Sequence, residues 1–350
     1  MTIEINWAKY RDAAPNILEC IGNTPLVRLN NVTAGVNGMI FAKLEYYNPT
    51  GSLKDRIYYE MIRKAEQRGI LRKGMTIIES STGNAGISCA FIGGLLGYKV
   101  VIVMPQGMSE ERKKIIKAYG AELIETPGGE SDVDLSLAKV QELKMGAPEK
   151  YWEPAQFSNP DNISAHFEHT GPEIWSQTDG KLDIFVASQG TGGTLTGVGR
   201  FLKSKNPDIK LFAVEPAEAP LLSKRQWGSH RIEGIGDGFV PRNLDLSLLE
   251  GVVTTTSDEA IEMAKHLAIE EGIFCGISSG CNVVAALKLA KHYPDAKVIV
   301  TMINDTGQRY FSTELCDVKK ELEVPERAHP IDDHSKRELD KYQSRWVIID

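Results

Sequence analysis

The chain has no Cys-x-x-Cys pair, no apolar run long enough to cross a bilayer and no extended Lys/Arg block, and each absence removes a class of function. Cys20, Cys89, Cys275, Cys281 and Cys316 are an odd set without paired spacing, mostly in apolar surroundings. They read as reduced core thiols rather than a disulfide framework or a zinc site. A membrane span needs roughly 20 apolar residues. The first dozen residues carry Glu4, Arg11 and Asp12 and no signal-like apolar stretch, so the expectation is a cytoplasmic protein without a membrane partner. A net charge of −7 and a pI near 5.6 argue against nucleic acid, which calls for a basic stripe. A small-molecule partner remains. With 350 residues, 42% hydrophobic and 25% charged, the chain is long enough for two lobes of ordinary globular composition.

One stretch stands out, Asn48-Pro49-Thr50-Gly51-Ser52-Leu53-Lys54-Asp55-Arg56. Pro49 and Gly51 force a turn after the apolar run 39–44, and the pattern over 55–65 predicts an amphipathic helix. Lys54 therefore falls at a helix start. There the helix dipole and the neighbouring Arg56 disfavour a second positive charge and push the amine toward its nucleophilic form. Taken alone, Lys54 reads as a solvated surface charge like any other lysine, and only the segments around it change that reading.

From Thr76 onward short β-rich runs alternate with helical patterns. Strands are expected at 75–78, 99–104, 121–125, 184–187, 210–214 and 297–302, and helices at 85–96, 109–119 (opened by a Ser109 cap), 132–143, 194–202, 258–271 and 282–292. This alternation predicts an α/β fold of two doubly wound lobes with mainly parallel sheets and a ligand cleft between them. The expected boundaries are 45–155 for a smaller lobe, 12–44 with 156–320 for a larger one, and 321–350 for a tail. The tail ends in the apolar patch Trp346-Val347-Ile348-Ile349, expected to pack on the body or on a partner subunit.

Ser188-Gln189-Gly190-Thr191-Gly192-Gly193-Thr194 joins a predicted strand to a predicted helix. Its glycines let backbone N–H groups converge on an anion, helped by about half a positive charge from the helix dipole. It lacks the third glycine of a dinucleotide fingerprint and the lysine of a P-loop, so it suits one phosphate monoester, although any tight strand-to-helix turn looks similar. Pyridoxal phosphate carries one phosphate and an aldehyde that demands a lysine, which would explain the loop and Lys54 together. Ser80-Ser81-Thr82-Gly83-Asn84 repeats the geometry and suits a carboxylate, with Ser81 or Thr82 as a plain helix cap being the alternative. Ser278 and Ser279 precede another predicted helix, where capping is again the alternative. The His166-x-x-His169 pair has helical metal spacing but no third ligand nearby, so no metal is expected.

Together these segments resemble the cysteine synthase and cystathionine β-synthase family of pyridoxal-phosphate enzymes, fold type II, from Ile21-Gly22-Asn23-Thr24-Pro25-Leu26-Val27 to Gly307-Gln308-Arg309-Tyr310-Phe311-Ser312-Thr313. The resemblance implies Lys54 as the Schiff-base lysine and the general base for the substrate's α-proton. It implies Ser81, Thr82, Gly83 and Gln156, with Phe157 beside it, as the substrate-carboxylate site. Asn84 is implied to meet the cofactor's phenolic oxygen, Gly190, Thr191, Gly192, Gly193 and Thr194 its phosphate, and Ser278 its pyridine nitrogen. A hydroxyl does not hold a proton on that nitrogen as a carboxylate would, which favours β-elimination over a long-lived carbanion.

The implied reaction is β-replacement on an activated serine, O-acetylserine favoured, with sulfide giving L-cysteine, in a homodimer. Cystathionine β-synthase, an O-phosphoserine-dependent cysteine synthase, a sulfide-releasing cysteine lyase and a catalytically silent α/β binding protein are the alternatives. Two positions depart from the family pattern: Ala85 replaces a threonine, and Asp237 replaces a small residue. Asp237 either faces the substrate or caps its own turn toward solvent, and Arg225 or Arg231 is positioned in sequence to receive a phosphate.

Overall fold

β-Branched runs such as Val298-Ile299-Val300-Thr301-Met302-Ile303 are buried at every position, the mark of strands covered on both faces. The computed structural model describes residues 13–129, 132–316 and 329–350. The charged residues of the first dozen positions, and the first part of the expected tail, lie outside these.

The chain begins with β1 (Leu26–Arg28) and β2 (Met39–Leu44), followed by helix α1 (Lys54–Gln67). Three strands then alternate with three helices: β3 (Thr76–Ser80), α2 (Asn84–Leu95), β4 (Lys99–Pro105), α3 (Glu110–Ala118), β5 (Glu122–Thr126) and α4 (Val133–Gly146). A short β6 (Tyr151–Trp152) leads into α5 (Pro160–Ala165), a π-type turn (His166–Thr170) and α6 (Gly171–Gln177). The second half runs β7 (Ile184–Ser188), α7 (Gly193–Lys205), β8 (Lys210–Pro216), α8 (Leu221–Lys224), β9 (Gly251–Thr255), α9 (Ser257–Glu270), α10 (Ile277–His292), β10 (Val298–Ile303), α11 (Asp333–Tyr342) and β11 (Val347–Ile349).

Two sheets result, one of seven strands ordered β1-β2-β10-β7-β8-β9-β11 and one of four ordered β5-β4-β3-β6. Every pairing is parallel except β1 with β2. This is the expected α/β architecture with mainly parallel sheets. Apolar clusters cover both faces of each sheet. In the smaller sheet α2 lies close against β4 because Gly86 and Gly93 leave no side chain between them. A Cβ there would stand 2.9 Å from Ile102 Cγ2 and 2.7 Å from Val100 Cγ2.

Several local expectations change. Ser109 occupies the position before α3, but its hydroxyl donates to the Arg309 carbonyl at 2.8 Å instead of capping the helix. Helix α10 begins at Ile277, so Ser278 and Ser279 lie inside its first turn and Gly276 is the cap residue. Strand β9 is not among the expected strands, although Val252, Val253, Thr254 and Thr255, which follow Gly251, are all β-branched. Cys89, Cys275 and Cys281 are buried, whereas Cys20 is exposed and Cys316 half-buried, so those two are not core thiols.

The apolar end of the chain packs on its own body. β11 pairs in parallel with β9, Trp346 is buried, and the Ser335 hydroxyl accepts the Val240 N–H at 2.8 Å. Trp346 and the β9 pairing thus use much of that patch within the subunit, while Ile348 on the edge strand stays exposed. Replacing Trp346 by Ala should destabilise the fold by about 3 kcal/mol, at the lower end for a buried tryptophan. Urea unfolding measures this, and a loss below about 1 kcal/mol would show the tail to lie outside the cooperative unit.

Candidate active site

Parallel strands end on a common edge, and the helices that follow begin there. Lys54 is the first residue of α1, Gly83 the cap residue of α2 and Gly193 the first residue of α7, while Ser278 is the second residue of α10. One cleft of about 820 Å³, counting its open mouth, is lined by Lys54, Ser81, Thr82, Asn84, Gln156, Gly190, Thr191, Gly192, Thr194, Asp237 and Ser278. Gly83 and Gly193, the remaining sequence-predicted residues, adjoin it as backbone at the starts of α2 and α7.

The wall at α7 is built of backbone that tolerates no side chains. A Cβ on Gly193 would stand 1.9 Å from Asn162 Oδ1, and one on Gly190 would stand 2.8 Å from the Gly234 carbonyl. Gly192 has φ of +80°, the left-handed region that favours glycine. The Asn162 side chain donates to Thr191 Oγ1 at 3.0 Å, and Thr194 Oγ1 lies 3.2 Å from His166 Nε2. Burial pushes His166 down to about 3, so a neutral imidazole supports the turn. His169 is exposed and does not converge with it on a common site. A glycine cradle at a helix N-terminus, flanked by two threonine hydroxyls and sharing its cleft with a lysine, fits a phosphate-bearing aldehyde.

At α2, Ser81 does cap the helix: its hydroxyl accepts from the Gly83 and Gly86 N–H groups at 3.0 and 2.7 Å. Gln156 donates from Nε2 to the Ser80 carbonyl at 3.2 Å, and its Oε1 is buried without a protein partner, toward a cleft that can supply one. Under this loop Glu79 is fully buried and pushed up to about 8 by burial, so it is neutral near pH 7 while accepting from Tyr58 OH and the Ser80 N–H. Phe157 lines the cleft and meets the Phe239 ring edge-on at 5.1 Å.

Asn84 is held on both sides. Its Nδ2 donates to Asp305 Oδ2 at 2.7 Å, and its Oδ1 accepts from Arg309, which also donates to the Thr50 carbonyl. Asp55 accepts from the Thr50 N–H and hydroxyl and from the Ser88 hydroxyl, fixing the turn before Lys54.

Three electrostatic expectations are corrected. Arg56 points away from the cleft into a buried cluster, donating to Glu45 at 2.6 and 2.9 Å and to Glu173 at 2.7 Å, where Lys43 also reaches Glu173 at 2.7 Å. Two carboxylates neutralise it, so it is not a like-charge neighbour acting on Lys54. Arg225 pairs with Asp340 and Gln343, and Arg231 with Asp258 and Glu314, and neither lines the cleft to receive a phosphate. Asp237 is buried, not solvent-facing. Burial pushes it up to about 6 against the pull of the Lys54 charge.

The sequence reading missed Arg112, Glu233 and Asn304, which line the same cleft. Arg112 is buried, pairs with Glu233 and donates to Tyr310 OH at 2.6 Å. Gly83, with φ of +153°, makes room for it, since a Cβ would stand 2.1 Å from Arg112 Cδ. The basic run Arg112-Lys113-Lys114 on a charged helix looks like a solvated face, and only the buried turn of α3 betrays it.

Comparison with known proteins agrees with this geometry. Residues 17–305 match the family model described as pyridoxal-phosphate dependent enzyme. The chain is 45% identical over 301 residues to a cysteine synthase of Staphylococcus aureus, covering 86% of this chain and 96% of that one. The crystal structure of cysteine synthase from Entamoeba histolytica superposes with a TM-score of 0.86 at 38% identity, covering 98% of this chain and 99% of that one. A hydrogen sulfide-producing enzyme from Fusobacterium nucleatum superposes at 0.81 with 42% identity, covering 85% and 100%. A lysine at a helix start, a one-phosphate cradle and these likenesses converge: the chain belongs to the pyridoxal-phosphate dependent enzyme family, in its cysteine synthase and cystathionine β-synthase branch.

Proposed function

We propose that this enzyme, which performs cysteine-synthase-like β-replacement, takes the neutral ester O-acetylserine as amino-acid substrate and sulfide as nucleophile. The observation that carries the reading is the buried Asp237 carboxyl sharing the cleft with Lys54, with Glu233 four residues before it on the same loop. At neutral pH Asp237 is ionised, being above its value of about 6. A phosphate leaving group would meet that charge, and the arginines of the preceding segment are engaged elsewhere. For scale, two unit charges about 6 Å apart at an effective dielectric near 20 repel by about 3 kcal/mol, roughly a hundredfold.

When bound, pyridoxal phosphate supplies the electron sink for loss of the α-proton and the β-substituent. The protein does the rest. With the cofactor bound, the α7 turn would hold its phosphate, while Ser81, Thr82 and the second Nε2 N–H of Gln156 would hold the substrate carboxylate. Lys54 Nζ would bind the cofactor's aldehyde and, as a free amine, would serve as the base for the α-proton. Ser278 would serve the ring nitrogen and Asn84 the phenolic oxygen. A homodimer and a cytoplasmic location complete the proposal, and a light-scattering mass near the 38.6 kDa of one chain would remove the dimer.

A second reading, release of sulfide from cysteine, draws on the same carboxyl. A buried acid with a value of about 6 is a base at neutral pH and can take a proton from water entering in place of sulfide. The likeness to the sulfide-producing Fusobacterium enzyme supports it.

A panel of O-acetylserine, O-phosphoserine, serine and cysteine, each with sulfide or homocysteine, separates these readings. O-Acetylserine with sulfide should give the highest kcat/KM, and a preference for O-phosphoserine would exclude Asp237 as the governing charge. Asp237→Asn should raise kcat/KM for O-phosphoserine relative to O-acetylserine by up to roughly a hundredfold.

If sulfide release is the native reaction, its rate should fall as pH drops through about 6, because Asp237 then takes up a proton and ceases to be a base. Asp237→Asn should abolish that limb along with most of the rate, and an unchanged acid limb would clear Asp237 of the role. Lys54→Ala should fold yet lose at least 10² to 10⁴ in turnover, the usual contribution of a general base. Retention of a tenth of the native rate would remove Lys54 from the mechanism.

A further inference from the structure

We propose that Asn304 is a positioning residue that makes the Ser278 hydroxyl a hydrogen-bond donor toward the cleft. The inference rests on the reading of Ser278 as the group that faces the cofactor's ring nitrogen.

Asn304 follows the last residue of β10, is 8% exposed and borders the cleft. Its polar groups hold three different walls. Its N–H donates to Ser279 Oγ at 2.9 Å, and its carbonyl accepts the N–H of Leu53, the residue before Lys54, at 3.0 Å. Its Nδ2 lies 3.1 Å from Ser278 Oγ and 3.3 Å from Ser188 Oγ, so the amide offers one N–H to each hydroxyl oxygen.

A serine hydroxyl has one proton and two lone pairs. With a lone pair of Ser278 taken by Asn304, the serine's own proton is directed away from the asparagine, and the cleft is the polar space that Ser278 borders. Were the amide oxygen turned to Ser278, the proton would point back and the cleft would meet a lone pair, able to accept from a protonated ring nitrogen. Asn304 thereby selects the arrangement in which the serine donates and the nitrogen stays unprotonated, which keeps the electron sink modest.

Nearby charges do not reverse this. Asp305, the next residue, spends Oδ2 on Asn84 and Tyr310 OH, at 2.7 and 2.8 Å. The first turn of α10 carries no charged residue, and the strand end facing it, at Ser188, is neutral. Lys54, Arg112, Glu233 and Asp237 are the charged side chains that line the cleft, two of each sign, with Arg112 and Glu233 paired to each other.

The test reconstitutes the native enzyme and the variants Asn304→Asp, Asn304→Ala and Ser278→Ala with cofactor labelled with nitrogen-15 in the ring. The ring resonance is followed between about pH 6 and about pH 9, and cofactor Kd is measured by titration. In the native enzyme the nitrogen should be unprotonated throughout. Asn304→Asp, of nearly identical shape but presenting only oxygens and a negative charge, should turn the serine proton back and move the resonance to the protonated position at neutral pH.

Asn304→Ala should weaken cofactor binding about three- to tenfold, the worth of one hydrogen bond, and this loss should vanish where Ser278 is already Ala. A native resonance in Asn304→Asp, or an equal loss from Asn304→Ala in both backgrounds, would overturn the inference. A native Kd and resonance in Ser278→Ala alone would instead overturn the reading of Ser278, and this inference with it.

Discussion

Parallel strand pairing is the constraint on which the site depends. Because every described strand pairing except that of β1 with β2 is parallel, α1, α2, α7 and α10 all present their amino ends to one cleft. Each end adds about half a positive charge and unsatisfied N–H groups. No array of lysines is then needed to receive a phosphate and a carboxylate, and apart from Lys54 and Arg112 the lining side chains carry no positive charge. The same field makes it tolerable to bury Glu233 and Asp237 at the rim.

Directing helix ends to one place leaves the question of what holds them there. The segment after β10 is the answer. Asn304 takes the Leu53 N–H, Asp305 and Arg309 grip the Asn84 amide from both sides, and Arg309 reaches the Thr50 carbonyl. Residues of the large sheet thus fix the turn before Lys54 and the first residue of α2. Asp305 and Arg309 are both buried, with Arg112 Nη2 3.8 Å from the Asp305 carboxylate, and removing one member of such a buried set leaves uncompensated charge at a cost of several kcal/mol. The Arg56, Glu45, Glu173 and Lys43 cluster does the same for the outer face of the Lys54 turn.

Much of this was legible in the sequence. Alternating β-branched and helical patterns disclosed the parallel α/β fold, and glycine disclosed the two strand-to-helix turns that border the cleft, because backbone approach and left-handed φ require glycine locally. The parts that were not legible depend on distant pairs. Arg56, next but one to Lys54 in sequence, turns to carboxylates at 45 and 173, so reasoning from neighbours gave it the wrong influence. Arg112, Glu233 and Asn304 come from three separate segments and meet only in the folded chain. β11 is only three residues long and gains its stability from pairing with β9, whose own β-branched run Val252-Val253-Thr254-Thr255 was legible.

Charge balance in the cleft links this architecture to substrate choice. Its lining holds two basic side chains, Lys54 and Arg112, and two acidic ones, Glu233 and Asp237. Arg112 and Glu233 are paired with each other, and Lys54 and Asp237 stand beside them in the lining. On the proposed binding mode the helix ends at α7 and α2 would meet a phosphate and a carboxylate. A further dianion on the substrate's β-carbon would then add negative charge beside Asp237, whereas an acetyl ester, a hydroxyl or a thiol would not. Helix ends are set by the fold, so on the proposed reading discrimination among leaving groups would fall to the few side chains that tip the sum, among them Asp237, which burial pushes up to about 6.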